Sequence, residues 1–198
     1  WSAADGLVYD FFDETFVRAV PSGPYARWVV SCDYGTVNPT SMGLWGLSGQ
    51  VWYRVKEFYY DARAQGAQKT DGEYVRDLIC LIGERRLDCV VVDPSAASFI
   101  EALKRAGFAV TKAQNEVLSG IRMTAEALKE GHIVICEPCR DAIREFSSYC
   151  WDLGEGTRDQ VKKEFDHAMD EIRYFVATIL RPQRPEGFAA AFVERGVV

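Results

Sequence analysis

The sequence contains no run of about 18 apolar residues, the length a membrane-crossing helix needs, so no such helix is predicted. Its first ten residues, Trp1–Asp10, lack the basic end and apolar stretch of a secretory signal peptide. Cysteine is scarce, with six in 198 residues. That density cannot build a disulfide scaffold, and Cys32, Cys80 and Cys89 lie inside apolar runs, as reduced core thiols do. Positive charge is not in excess either: 23 basic residues against 29 acidic ones leave a net charge of −6. This argues against a protein that coats nucleic acid by bulk charge. It leaves room for an enzyme whose acidic site takes up metal ions before it accepts phosphate. No Gly-x-x-x-x-Gly-Lys-Ser/Thr phosphate loop occurs, and no Gly-x-Ser-x-Gly elbow surrounds any serine. There is no internal repeat and no low-complexity tract. The chain reads as a cytosolic domain, and its start at Trp1 without a Met is that expected of an excised or processed piece.

What is present is ordinary globular material, 48% apolar and 26% charged, enough for one domain with a core. Residues 1–26 read as irregular and are closed by Pro21, Gly23 and Pro24. Arg27–Asp33, Thr40–Leu47 and Gln50–Tyr60 are rich in β-formers, and Ser48-Gly49 between the last two is a hairpin signal. An antiparallel meander is predicted. Thr70-x-x-Glu73 has capping-box spacing, and Tyr74, Val75, Leu78, Ile79 and Ile82 continue it as an amphipathic helix. Leu87–Asp93 is a near-continuous apolar run suited to a parallel strand buried on both faces. Helices follow at 95–106, 117–130, 139–148 and 166–180, with strands at 108–111 and 132–136 between them. The fold class is α/β: a mixed sheet of five strands or slightly more, covered by helices on both faces. The domain spans 27–181, after the lead-in at 1–26 and before a patternless tail at 182–198.

Two strands end on an acid, Asp33 and Asp93. If they pair in parallel, both carboxylates emerge at one sheet edge, where open α/β sheets place their sites. Asp166 and Asp170 add a third contribution, sharing a helix face at i, i+4. A lone strand-end aspartate is commonly a cap or turn residue. Several carboxylates converging on one point instead repel unless protonated or bound to cations. Hard oxygen donors suit Mg²⁺ or Mn²⁺, and two such ions about 4 Å apart can clamp an in-line phosphoryl displacement.

The pieces Gly6-Leu-Val-Tyr-Asp10, Asp33-Tyr-Gly35, Val-Val-Asp93-Pro-Ser-Ala96, Gly120-Ile-Arg122, Glu145 with Tyr149-x-Trp151, and Lys163-x-x-Asp166-His-Ala-Met-Asp170-x-x-Arg-Tyr174 occur in this order. In them the sequence resembles the C-terminal nuclease domain of the large terminase subunit of tailed bacteriophages, an RNase H-like fold of the retroviral integrase superfamily. The resemblance implies a divalent-metal-dependent endodeoxyribonuclease that cuts concatemeric genome DNA with two Mg²⁺ or Mn²⁺ ions. It places metal-binding acids at Asp33, Asp93 and Asp170, a neighbouring histidine at His167, and Asp166 as a fourth ligand or helix N-cap. It implies double-stranded DNA as substrate. As partners it implies an upstream ATPase domain, to which 1–26 would be the junction, the small terminase subunit and the portal protein. The place of action would be the cytoplasm of an infected bacterium, at the procapsid portal. Two rivals share some features: a Holliday-junction resolvase of the same superfamily, and an actin-like nucleotide-binding domain, which would need a second Asp-x-Gly loop.

Smaller features carry their own expectations. Arg158, Lys162 and Lys163 form a local basic cluster able to meet phosphate, or a solvated loop. Glu171 adds charge beside the site but at i+1 points away from the metals. Cys136-x-x-Cys139 lacks the partners of a zinc site. Trp45, Trp52 and Tyr53 read as packing residues, and Ser95 as a helix N-cap.

Overall fold

The computed structural model describes residues 6–152, 154 and 160–180. Seven strands form one sheet in the order β1-β7-β4-β3-β2-β5-β6. They are β1 (Val17–Arg18), β2 (Arg27–Asp33), β3 (Thr40–Ser48), β4 (Val51–Tyr60), β5 (Cys89–Val92), β6 (Val110–Lys112) and β7 (Ile133–Cys136). β2, β3 and β4 make the antiparallel meander, and all other pairings are parallel. The hairpin turn is Gly49-Gln50, one residue later than the sequence indicates. Ser48 pairs with Val51, and Gly49 takes the positive φ of 61° that the first turn position requires. The seventh strand, β1, lies in the stretch read as irregular. It has two residues and pairs with β7 at the sheet edge. Nearby Tyr9 is buried against Phe146 and Tyr149, so residues before Arg27 also contribute to the core.

Period-2 alternation sorts the side chains onto two faces. Val30, Cys32, Met42, Leu44, Val90 and Val92 point to one side. There they meet α2 (Asp71–Ile82) and α3 (Ala97–Arg105) through Tyr74, Leu78, Phe99 and Leu103. Val29, Trp45, Trp52 and Val91 point to the other. There they meet α4 (Val117–Lys129), α5 (Arg140–Phe146) and α6 (His167–Phe175). Trp45 stacks flat on Phe175 at 4.0 Å, and Trp52 meets the same ring edge-on at 5.2 Å. The short α1 (Ala62–Gln65) follows β4.

The capping box at the start of α2 is complete, with Thr70 and Glu73 each bonding the other's backbone N–H. Ile79 departs from its helix's buried stripe and is 48% exposed. Ser95 is not a cap: α3 begins two residues later, and the Ser95 N–H donates to Asp93 Oδ1 at 2.8 Å. The last helix continues past Phe175 as a π-helical turn over Val176–Leu180. The tail at 182–198 lies outside the described residues.

Candidate active site

β2 and β5 are parallel neighbours whose register pairs Cys32 with Val92. The next residue on each strand is therefore Asp33 and Asp93, level with each other at the carboxyl edge of the sheet. Asp93 accepts hydrogen bonds from the Ser95 N–H and from Asn115 Nδ2 at 3.0 Å. Burial works against the Asp93 carboxylate, but bonds from Ser95, Asn115 and Tyr174 outweigh it and hold its pKa below the ordinary value. Asp33 behaves oppositely. Burial pushes its carboxyl up, and the charges of Asp170 and Asp166 add to that, against the opposing bond from His167.

The remaining residues arrive on α6. His167 Nδ1 lies 2.9 Å from Asp33 Oδ2, and the bond and charge of Asp33 raise the imidazole pKa despite burial. Asp170 receives Arg173 Nη2 at 2.8 Å and Lys163 Nζ at 3.5 Å. Lys163 also reaches Asp166 at 3.4 Å. Asp166 occupies the N-cap position of α6, but its side chain makes no capping bond. The cap comes from a distant residue: buried Glu145, at the end of α5, accepts the Ala168 N–H at 2.7 Å and the Tyr59 hydroxyl at 2.7 Å. A remote carboxylate thus meets the positive end of the helix and leaves Asp166 turned to the site. Glu145→Ala is expected to cost about 2–3 kcal/mol by leaving these buried donors unpaired. An unchanged urea-unfolding midpoint would refute this account of the cap.

Behind the site is a buried ionic cluster. Glu171 points away from the acids, into the sheet, where it accepts bonds from Ser31, Trp45 Nε1 and Arg54. Arg54 also pairs with Glu57 at 2.7 Å. Residues three apart on a regular strand face opposite sides. Here β4 carries a bulge, in which Leu44 pairs with Lys56 but Trp45 with Arg54, and the unpaired Val55 brings Arg54 and Glu57 to one face. Gly43 sits directly over the cluster, and a Cβ there would collide with Glu171 and Arg54. Glu57 in turn accepts the Asp141 and Ala142 N–H groups at the start of α5.

A cleft of about 580 Å³ opens over the acids, lined by Asp33, Asp166, His167 and Asp170, with Arg63 and Arg144 among its other walls. Among the described residues no three His, Cys, Asp or Glu side chains are already gathered around one point. Each acid is turned to a protein partner instead: Asp33 to His167, Asp93 to Ser95 and Asn115, Asp170 to Arg173 and Lys163. The donor chemistry nevertheless fits a hard divalent cation. The donors are carboxylate oxygens, and Asp33 and Asp166 both carry raised pKa values from burial and mutual repulsion that a cation would relieve.

At the lip of the cleft stands Phe165, the only described non-glycine residue with positive φ, 52°. That conformation costs a side-chain-bearing residue about 1–2 kcal/mol.

No protein-family model matches the sequence. The chain is 25% identical over 159 residues to the large terminase subunit of Escherichia phage T5, a match covering 77% of this chain and 35% of that protein. It superposes on the large terminase of a thermophilic bacteriophage, solved in complex with ADP, with a TM-score of 0.86 and 48% identity. That alignment covers 90% of this chain and 46% of the other. The nuclease domain of the P22 large terminase superposes with a TM-score of 0.69 at 16% identity, over 89% of this chain and 93% of that domain. The fold is that of a large-terminase nuclease domain. The large terminase nuclease of phage G20c, solved with bound magnesium, shares the fold at 12% identity and a TM-score of 0.67, over 88% of this chain and 98% of that one. The terminase-like chain spans less than half the length of the T5 protein and of the ADP-bound terminase that it matches.

Of the residues singled out from sequence, Asp33, Asp166, His167 and Asp170 line the cleft of this terminase-like fold, while Asp93 follows the strand beside Asp33 and is not among the lining residues. Lys163 stands among the acids as their counter-cation, Lys162 is exposed beside it, and Arg158 lies outside the described residues. No sequence pattern assigned a role to Arg54, Arg173 or Asn115. Cys139 donates its thiol to the Arg54 carbonyl at 3.0 Å.

Proposed function

We propose that this chain is the metal-dependent DNA endonuclease domain of a viral packaging terminase, cutting concatemeric genome DNA. The observation that carries this reading is the level placement of Asp33 and Asp93 on parallel neighbouring strands, with Asp166 at the N-cap of α6 and Asp170 in its first turn lining the cleft with Asp33. Asp33, Asp93 and Asp170 would hold the metal, with Asp166 as a further ligand. The magnesium and cobalt bound in the G20c nuclease support that choice of cofactor class. When bound, two Mg²⁺ or Mn²⁺ ions supply the Lewis acidity for in-line phosphodiester displacement by water.

The protein's own residues do the positioning. His167, with Nδ1 2.9 Å from Asp33 Oδ2, would donate a proton there and orient that carboxylate. Arg173 and Lys163 neutralise Asp170 and Asp166 until cations enter. Lys162, Lys163 and Arg158 are assigned to the phosphate backbone near the cut. With no base-reading element in the sequence, cleavage has low sequence specificity. Site choice then falls to the upstream ATPase domain, the small terminase subunit and the portal, in the cytoplasm of an infected bacterium at the procapsid.

The test uses the purified protein and supercoiled plasmid. Nicking or linearisation is expected with Mn²⁺ or Mg²⁺ and none with EDTA; an intact plasmid under both ions would overturn the proposal. Metal binding has a separate readout. Mn²⁺ at about 100 times its Kd should add about 2.7 kcal/mol of stability, seen as a rise in Tm. A Tm that ignores Mn²⁺ would remove the metal site.

A further inference from the structure

Resting on the nuclease reading, we infer that Phe165 is a stacking residue, which receives a base of the DNA strand beside the phosphate being cut. Two unusual features coincide at this position. Only four large hydrophobic residues are exposed among those described, Val20, Val37, Ile79 and Phe165. Phe165 is the sole aromatic of the four and the most exposed, at 59%. It is also the one described non-glycine residue held in the left-handed region. Burial of the ring does not compensate that backbone conformation, because the ring is not buried. Strain kept at an exposed side chain is the pattern of a functional contact.

The surroundings indicate what the ring meets. Phe165 lines the cleft that holds the acids and is the residue immediately before Asp166. The same cleft has Arg63, Arg144 and Lys163 on its walls, together with the acidic Asp61 and Glu164. Arg63 is exposed and makes no ion pair among the described residues. Arg144 pairs with Asp141 and lies over the Tyr59 ring at 5.4 Å. Basic side chains with an aromatic face beside them are the equipment of single-strand binding, because every base offers a π-face whatever its sequence, and on a duplex the base that meets Phe165 must first leave its stack at a cost of a few kcal/mol. This suits an enzyme without base-reading elements. Phe165 positions the strand through its base and touches no reacting atom, so it is a positioning residue.

The experiment compares wild type with Phe165→Ala, Phe165→Trp and Phe165→Gly. Cleavage of duplex DNA by Phe165→Ala should fall about tenfold in kcat/KM, the loss of one base–aromatic stack. Phe165→Trp should restore it. Phe165→Gly relieves the backbone, so its Tm should equal or exceed that of wild type while its cleavage falls as in Phe165→Ala. With EDTA present to prevent cutting, a duplex carrying 2-aminopurine should change fluorescence on binding with Phe165 or Trp present, and not with Ala. Wild-type cutting matched by Phe165→Ala, or an equal fluorescence change in both, overturns the role of Phe165 and leaves the nuclease reading intact. A wild-type protein that neither cuts nor binds duplex DNA overturns the nuclease reading and this inference with it.

Discussion

Asp33→Asn and Asp93→Asn are each expected to lower DNA cleavage on the order of 10²–10³-fold or more while leaving the circular dichroism spectrum unchanged. Both replacements are isosteric, so packing at the sheet edge survives. What goes is the negative charge that a divalent ion requires. The two variants should differ in stability, and that difference makes the test sharper. Burial and the nearby Asp166 and Asp170 already disfavour the Asp33 charge. Removing it should leave the metal-free Tm the same or higher, the behaviour of a site that carries stored repulsion. Asp93 is held ionised by Ser95, Asn115 and Tyr174. An asparagine there loses charge-assisted bonds and turns an amide toward Asn115, so the metal-free Tm should fall. Both variants should lose the Mn²⁺-induced rise in Tm. Cutting at the wild-type rate by both would end the assignment of these acids.

Glu171→Ala is expected to cost about 3–5 kcal/mol, because it leaves Arg54 buried with half its compensation gone. Glu57 still faces that guanidinium, which moderates the loss. The Ser31 hydroxyl and the Trp45 indole N–H lose their acceptor, which enlarges it. Domains are typically stable by only about 5–15 kcal/mol, so a shift of this size should be obvious in the urea midpoint. Glu171→Gln keeps the shape and an acceptor and should cost clearly less. Because Glu171 lies next to Asp170 on α6, loosening it should also weaken Mn²⁺ binding in whatever folded protein remains. An alanine variant with the wild-type midpoint would show that the cluster contributes nothing to stability.

Much of the architecture was legible in the sequence, for local physical reasons. The strands of the meander, the capping box at Thr70 and the acid-terminated runs at Asp33 and Asp93 are short-range patterns. Their periodicity survives whatever packs against them. The parallel pairing that brings the two aspartates level follows from the helix between their strands. β1 was not legible because two residues held by one neighbour leave no periodic trace. The Arg54–Glu57–Glu171 cluster was hidden by the bulge at Val55, since strict alternation places Arg54 and Glu57 on opposite faces. The sequence left Asp166 open as a ligand or as the cap of α6. Asp166 stands where a local cap belongs, and nothing in its vicinity shows that Glu145, 23 residues upstream in contact with the Ala168 N–H, takes that work. The positive φ at Phe165 is equally unreadable, because no glycine or asparagine announces it.

The remote cap on α6 has a consequence for what the helix depends on. A helix that starts on its own Asp or Ser carries its cap with it. This one starts on a carboxylate from α5 and is seated by a glutamate whose hydroxyl partner, Ser31, lies 140 positions earlier. The contacts that cap and seat α6 therefore exist only where the sheet, with its bulge, and α5 are in place. A nascent or truncated chain that stops before α6 carries Asp33 and Asp93 but neither Asp166 nor Asp170. Such a fragment lacks two of the four acids of the candidate site.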